Sequence, residues 1–395
     1  MRGSAVRICP VAPFYYRKGK LKKVYLDNSA TTKVTSKVKR AMLPFFSNIY
    51  ANESSAHSFG RQANSYVEKA RNVLAKIINC STNEVYFTSS GSEANSWAIV
   101  GIANANKSKG NRIITTKIEH DSVINACKYL EKQGFEVVYL SVDKYGKVDI
   151  DELEKTIDNN TILVSVMMVN NEVGTVQDIQ KISEIAHKYN AIFHTDAVQG
   201  FGMLKINVKE LNIDAMSVSA HKIYGPKGVG MLYVKNGTMI DNLIFGGNQE
   251  FGKRGGTLNT MGVVGFAKAT EIAYNDIDVN CNKILGLKNY FIMSLKQEFD
   301  DKVIINGHRT DCIPNIVSVS FIGQDANILM IKLDQKGIAV SRGAACTAGS
   351  NVKSYVLEAM GLYDTLDNTL RFSLGKFVTI KQLKYVIKTL KEILN

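Results

Sequence analysis

No stretch of about 18 consecutive apolar residues occurs in the 395-residue chain. The most apolar run, Ile162 to Val169, has the length of a strand, so no transmembrane helix is available. Cysteine is sparse. Cys9, Cys80, Cys127, Cys281, Cys312 and Cys346 form no C-x-x-C pair and no recurring spacing, which opposes a zinc site or a disulfide framework. Any thiol that matters here matters alone, and the chain is expected where thiols stay reduced. Internal repeats and low-complexity stretches are also missing, as is the apolar core of a secretory signal near the N-terminus.

Acidic residues are outnumbered, 36 against 49 basic ones, for a net charge of +13. Such an excess invites a nucleic-acid reading, but its distribution weakens it. Residues 1–23 hold Arg2, Arg7, Arg17, Lys18, Lys20, Lys22 and Lys23 and no acid, so the rest of the chain is only mildly basic. The segment reads as a disordered extension, with a transit peptide or a polyanion-binding arm as alternatives. The remaining composition, 45% apolar and 22% charged, is that of an ordinary globular protein and excludes disorder and collagen. The length exceeds what one core usually serves, so two domains are expected.

Past the extension, short β-rich runs alternate with segments of helical period, the pattern of a mostly parallel α/β sheet covered by helices. Strands are expected at Val85–Thr88, Arg112–Thr116, Glu136–Leu140, Ile162–Val169, Ala191–His194, Ala215–Ser219 and Gly230–Val234. The clearest helix lies near residues 61–79, where Ala63, Tyr66, Val67, Ala70, Val73, Leu74, Ile77 and Ile78 recur at three- and four-residue steps. After an apolar helix near Met261 to Tyr274 the strands become fewer, as at Ile316–Phe321, and a last helix opens with a capping box at Thr379 and Gln382. These features divide the chain into the extension 1–23, a large domain 24–275 and a smaller α+β domain 276–395, the first residues of the large domain being free to pack against the small one.

Four constellations fall in strand-to-helix loops, where open α/β sheets place their ligands. In Thr88-Ser89-Ser90-Gly91-Ser92-Glu93, hydroxyl residues and a glycine at a helix N-terminus suit a phosphate, or simply cap the helix. Asp196, closing a strand before Ala197-Val198-Gln199, can hold a proton on a heteroaromatic nitrogen, as the acidic partner of a pyridoxal ring does, or cap the next helix. Lys222, in Ser219-Ala220-His221-Lys222-Ile223-Tyr224-Gly225, offers an amine for a Schiff base or is a plain solvated lysine. Ser341-Arg342-Gly343-Ala344-Ala345-Cys346-Thr347-Ala348-Gly349-Ser350 crowds small residues around one thiol, a composition suited to a moving loop; an inert buried cysteine fits Cys80 or Cys127 better. Gly247 to Lys253 has the spacing of a P-loop, but Arg254 stands where Ser or Thr must bind magnesium, so no nucleotide site is expected.

Together these motifs resemble the cysteine desulfurases of the iron-sulfur-cluster-assembly and nitrogen-fixation type, in the class V aminotransferase group of pyridoxal-phosphate (PLP) fold type I. The resemblance runs in order from Val24-Tyr25-Leu26-Asp27-Asn28-Ser29-Ala30-Thr31-Thr32 to Leu370-Arg371-Phe372-Ser373-Leu374-Gly375. It implies a large domain with a seven-stranded, mostly parallel sheet, a small C-terminal domain, and a homodimer with shared sites. Lys222 is similar to the lysine that holds the cofactor's aldehyde, and Asp196 to the acid on its pyridinium nitrogen. His120, in Ile118-Glu119-His120-Asp121, resembles the histidine stacked on the ring, although read alone it is a helix cap. Asn171 and Gln199 resemble the partners of the phenolic oxygen; Gly91, Ser92, Ser219 and His221 the phosphate cradle, with Thr257 reaching in from the other subunit. Arg371 resembles the arginine for the substrate carboxylate, with Asn28 a second contact, and Cys346 matches the nucleophile that takes sulfur as a persulfide.

The implied reaction converts L-cysteine to L-alanine and passes persulfide sulfur to an acceptor protein for iron-sulfur clusters or tRNA thiolation, in the cytoplasm, with no metal, membrane or direct nucleic-acid contact. A selenocysteine lyase or another class V lyase or aminotransferase is the alternative within the fold, and a basic RNA-binding or assembly protein on a degenerate enzyme fold the remote one. Arg342 departs from the family pattern, in which Ser often stands: it either lowers the pKa of the Cys346 thiol or faces solvent.

Overall fold

The computed structural model describes residues 23–343 and 353–394. The basic extension before Lys23 and the segment carrying Cys346 lie outside the described residues.

Twelve strands and eleven helices follow one another among the described residues. The strands are β1 (Val24–Tyr25), β2 (Val85–Thr88), β3 (Arg112–Thr116), β4 (Glu136–Leu140), β5 (Thr161–Ser165), β6 (Ile192–Asp196), β7 (Ala215–Ser219), β8 (Gly230–Val234), β9 (Val303–Asn306), β10 (Ile316–Phe321), β11 (Ile338–Ala339) and β12 (Thr369–Ser373). The helices are α1 (Ser36–Met42), α2 (Ser58–Ile78), α3 (Gly91–Asn106), α4 (Asp121–Glu131), α5 (Ile150–Thr156), α6 (Ile179–Lys188), α7 (Thr260–Asn275), α8 (Ile277–Phe299), α9 (Ala326–Gln335), α10 (Tyr355–Ala359) and α11 (Ile380–Leu394).

The large sheet has seven strands in the order β2-β8-β7-β6-β5-β3-β4. Only β8 runs against its neighbours, β2 and β7. Strands β3 to β7 pair in parallel, which buries both faces and explains why β5 and β7 are buried along their whole length. One face packs on α2, α6 and α7 through a core that includes Leu74, Ile78, Phe193 and Phe266. The other packs on α3 and α4 through Trp97, Ile102, Ile113 and Leu130.

Five of the seven expected strands fall on the expected residues. The sixth, expected at Ile162–Val169, ends four residues early, at Ser165: the Val166 and Met168 amides still reach the His194 and Asp196 carbonyls of β6, but on the opposite, β3 side the Met167 amide donates to Glu119 Oε1 at 2.9 Å. The seventh starts and ends slightly later than expected, at Ile192–Asp196. Helix α2 opens under His57, whose Nδ1 accepts from the Gly60 amide, and closes on Asn79 in the left-handed region at φ 61°.

A second core gathers β9, β10, β12, α8, α9 and α11, with Phe291, Phe321 and Phe372 at its centre. Val24 and Leu26 belong to this core, and β1 pairs in parallel with β11. The segment after β1 therefore crosses from the second core to the first. The chain breaks at Asp276 between α7, which packs on α1 and α2, and α8, which packs on α11. The expected capping box is present at α11: Thr379 N donates to Gln382 Oε1 at 3.0 Å and Gln382 N to Thr379 Oγ1 at 3.3 Å.

Candidate active site

The C-terminal ends of β2, β3, β5, β6 and β7 open onto one cavity of about 170 Å³. A parallel sheet places its strand ends, and the helix N-termini that follow them, on one edge, and ligands collect there. At the first of these ends Ser90 caps α3, its hydroxyl accepting from the Glu93 amide at 3.1 Å. The Gly91 and Ser92 amides, in the first turn, have no helical acceptor. Gly91 is required by contact: a β-carbon there would lie 2.7 Å from Val198 Cγ2 and 3.3 Å from Ser219 Cβ. Ser219, at the end of β7, presents a buried hydroxyl without a partner to the same cavity. His221 follows it, its Nδ1 3.2 Å from Thr31 Oγ1. Burial, with Lys222 and Lys227 adding to it, pushes the His221 imidazole down to about 4, so the ring is neutral at neutral pH.

Asp196 ends β6 at the cavity floor and is almost fully buried. One oxygen accepts from Asn95 Nδ2 at 2.6 Å and the other from the Val198 amide at 2.9 Å. Lys222 sits in the turn after β7 and donates to the carbonyls of Ser29 and, at 3.0 Å, Ala30. Gln199 Nε2 donates to the Ser29 carbonyl as well, at 3.1 Å. His120 is both a helix cap and a wall of the cavity. Its Nδ1 accepts from the Ser122 amide at 3.1 Å, which leaves the proton of the neutral ring on Nε2.

Asn171 and Arg371 close the far side. The Asn171 side-chain oxygen is buried without a partner, while its backbone carbonyl accepts from Arg371 Nη1 at 2.9 Å. Arg371 Nη2 reaches Asp27 Oδ1 at 3.0 Å, and Arg371 Nε is buried without a partner. Protein thus takes one N–H of each terminal nitrogen, and the Nε–H, with the second N–H of each terminal nitrogen, is left for something else.

Eleven of the thirteen residues expected at a site are described and line or adjoin this cavity. Asn28 stands slightly apart, in a small neighbouring hollow shared with Gln199, Lys222 and Tyr224, and its Nδ2 donates to the Ser373 carbonyl at 2.8 Å. Thr257 is described but lies on the surface away from the cavity of its own chain. Cys346 lies outside the described residues. Arg342 does not face solvent: Nη1 donates to Asn327 Oδ1 at 2.6 Å and Nη2 to the Leu366 carbonyl at 3.3 Å. The P-loop-like segment makes a buried structural contact. Glu250 within it is buried in a two-pronged ion pair with Arg71, at 2.8 and 2.9 Å, and accepts from the Phe87 amide.

Two residues of the site had not been singled out. Asn95 bridges Asp196 and Ser122 Oγ; it lies one helical turn after Gly91, a spacing that puts it on the face looking into the cavity. Glu119 is fully buried beside the cavity wall, its Oε1 accepting from Thr116 Oγ1 at 2.8 Å and from the Met167 amide. Burial, with Asp196 nearby, pushes its carboxyl up to about 8.

A fold with this sheet order, opening at its carboxyl edge onto a lysine, an aspartate and a helix N-terminus, is that of a known group: the chain belongs to the class-V aminotransferase family, whose pattern matches residues 24–386. Within that family it is similar to the cysteine desulfurases. The cysteine desulfurase IscS of Clostridium botulinum strain Hall is 46% identical over 377 residues, 95% of each chain. The solved structure of a NifS-like protein shares 38% identity at a TM-score of 0.89, covering 94% of this chain and 99% of its own. That of SspA in complex with cysteine shares 34% identity at a TM-score of 0.80, covering 90% of this chain and 100% of its own.

Proposed function

We propose that this chain is a PLP-dependent cysteine desulfurase. It converts L-cysteine to L-alanine and leaves the sulfur as a persulfide on Cys346, for an acceptor protein that builds iron-sulfur clusters or thiolates tRNA. The observation that carries the reading is the set of buried, unsatisfied polar atoms around one amine: Ser219 Oγ, Asn171 Oδ1 and Arg371 Nε all line the cavity that holds Lys222. Buried polar atoms without partners are costly, and a polar ligand relieves that cost. The cofactor fits these residues. PLP supplies, when bound, an aldehyde that captures an amino group and a ring that draws electrons from the substrate α-carbon.

The protein's part is to hold and to move protons. The Gly91 and Ser92 amides, Ser219 Oγ and His221 hold the phosphate, with Thr257 of a second copy of the chain completing the cradle. Asp196 holds the proton on the ring nitrogen, and two donors of its own keep it oriented. Asn171 and Gln199 hold the phenolic oxygen, and His120 covers the ring. Lys222 would hold the cofactor's aldehyde, and its amine would move the substrate α-proton. Arg371 takes the substrate carboxylate, assisted by Asn28. The Cys346 thiolate then attacks the substrate sulfur. The substrate C–S bond breaks, an S–S bond forms, and the carbon skeleton takes up a proton to leave as alanine.

Among the described residues no helix is long and apolar enough to cross a membrane. We place the enzyme in the cytoplasm on the strength of the reduced thiol that the reaction needs.

The test is anaerobic incubation with L-cysteine and a thiol reductant, with alanine and sulfide quantified for the wild type, Cys346→Ala and Lys222→Ala. Equal alanine and sulfide from the wild type and neither from the variants is the expected result. Full activity in Cys346→Ala would overturn the persulfide mechanism and leave a lyase that needs no protein thiol.

A further inference from the structure

Tyr224, two residues beyond Lys222, is the most strained point of the cavity's surroundings. Its φ of 67° lies in the left-handed region, where a bulky side chain is an outlier. Strain of this kind persists only where surrounding contacts over-determine it, and here they do. The Tyr224 amide donates to Thr32 Oγ1 at 2.7 Å, and the same hydroxyl donates to the His221 carbonyl at 2.7 Å. The Tyr224 carbonyl accepts from the Thr35 amide. The turn that presents Lys222 is thereby bound to the segment whose Ser29 and Ala30 carbonyls hold the lysine amine.

The side chain runs the other way. It is buried, and its hydroxyl accepts from the Lys376 amide at 2.8 Å. Its ring meets Phe377 edge-on at 5.7 Å and lies 4.2 Å beneath the Lys376 ammonium. Lys376 follows β12, the strand that carries Arg371, by three residues. One side chain therefore ties the turn bearing the amine to the strand end bearing the guanidinium, and these belong to different cores.

An α-amino acid must meet both ends at once: its amino group at the carbon held by Lys222, its carboxylate at Arg371. We propose that Tyr224 is a positioning residue that fixes the spacing between Lys222 and Arg371. The left-handed backbone aims the lysine, and the hydroxyl sets the reach of the arginine strand. The proposal rests on the reading of Lys222 and Arg371 given above.

Three variants in the full-length holoenzyme separate these parts. Tyr224→Phe removes only the acceptor of the Lys376 amide. It should speed hydrogen exchange in residues 374–378 and raise KM for L-cysteine, each roughly 3- to 10-fold, with kcat held within about twofold. The pH titration of the lysine-bound cofactor's absorbance should not move. Tyr224→Gly and Tyr224→Ala both lose ring and hydroxyl, but only alanine must force a β-carbon into the left-handed region. Alanine should therefore shift that titration and fall below glycine in kcat by roughly fivefold. Wild-type KM and exchange in the Phe variant would overturn the tether, and identical titrations in the Gly and Ala variants would overturn the backbone role. Failure of the desulfurase reading shows separately, as a wild type that yields no alanine, and the exchange measurement still decides whether the tether exists.

Discussion

His194 is a fully buried imidazole in the middle of β6, held between two hydroxyls, Ser165 Oγ at 2.8 Å from Nδ1 and Ser217 Oγ at 2.9 Å from Nε2. No carboxylate is among these partners, and burial pushes the ring down to about 3. Folding therefore holds neutral a group that takes a proton near pH 6.5 once unfolded. The unfolded state binds more protons between those two values, so this contribution to stability is complete above pH 6.5 and is lost as pH falls. The rate of loss is about 1.4 kcal/mol per pH unit, and from pH 7 to pH 5 it amounts to about 2 kcal/mol. A folded value one unit higher leaves that figure unchanged, because pH 5 still lies above it.

The assay is urea unfolding of the wild type and of His194→Asn at both pH values. Substitution lowers stability at each pH by leaving Ser165 and Ser217 poorly paired, so the informative quantity is the difference of differences, from which every other titrating group cancels. The wild type should lose about 2 kcal/mol more than the variant on going from pH 7 to pH 5. Equal losses would show that the imidazole is either protonated in the fold or open to water, and would refute the burial argument.

Three further outcomes follow from contacts already described. Gly91→Ala places a β-carbon 2.7 Å from Val198 Cγ2 and should displace the α3 N-terminus, weakening cofactor binding and lowering turnover on the order of 100-fold, read by cofactor absorbance and alanine release. Arg371→Lys loses the planar fork and should raise KM for L-cysteine at least about tenfold while the cofactor spectrum stays that of the wild type. Arg71→Ala strands the buried Glu250 carboxylate and removes the cation sandwiched between Phe87 and Phe251, at 4.8 and 4.9 Å; it should cost about 3–5 kcal/mol in urea unfolding.

The parts of the molecule legible in the sequence are those whose signal is local. Strands β2, β3, β4, β7 and β8 are short apolar runs between turn residues, and a doubly covered sheet leaves such runs uninterrupted. Lys222, Asp196 and the serine-glycine turn before α3 stand directly at strand ends, so the order of elements already assigns them to one edge. His120 is the instructive case: its cap role reads from sequence, but a cap placed after β3 also projects over the cavity, so the two readings are one. What stayed hidden depends on pairs far apart in the chain. Asp27 meets Arg371 across 344 positions and Thr31 meets His221 across 190. The early end of β5 could not be read either, since the competing acceptor, Glu119, comes from another loop.

Glu119 also supplies the counterweight to His194. Its carboxyl, fully buried and pushed up to about 8, holds a proton in the fold that it releases near pH 4.5 when unfolded. The folded state now binds more protons, so the sign is reversed: this contribution is complete below pH 4.5 and is lost as pH rises toward 8. Between pH 5 and pH 7 the loss is about 2–3 kcal/mol, close in size to the gain from His194 over the same interval. In the wild type the two slopes largely cancel, and each is exposed by removing the other. Glu119→Gln keeps a neutral acceptor for Thr116 Oγ1 and the Met167 amide, so it should fold and retain the cofactor spectrum, and its stability should climb from pH 5 to pH 7 by about 2–3 kcal/mol relative to the wild type. The double variant with His194→Asn should be flat again. A Glu119→Gln profile parallel to the wild type would mean that Glu119 is ionised in the fold and would refute the burial argument for it.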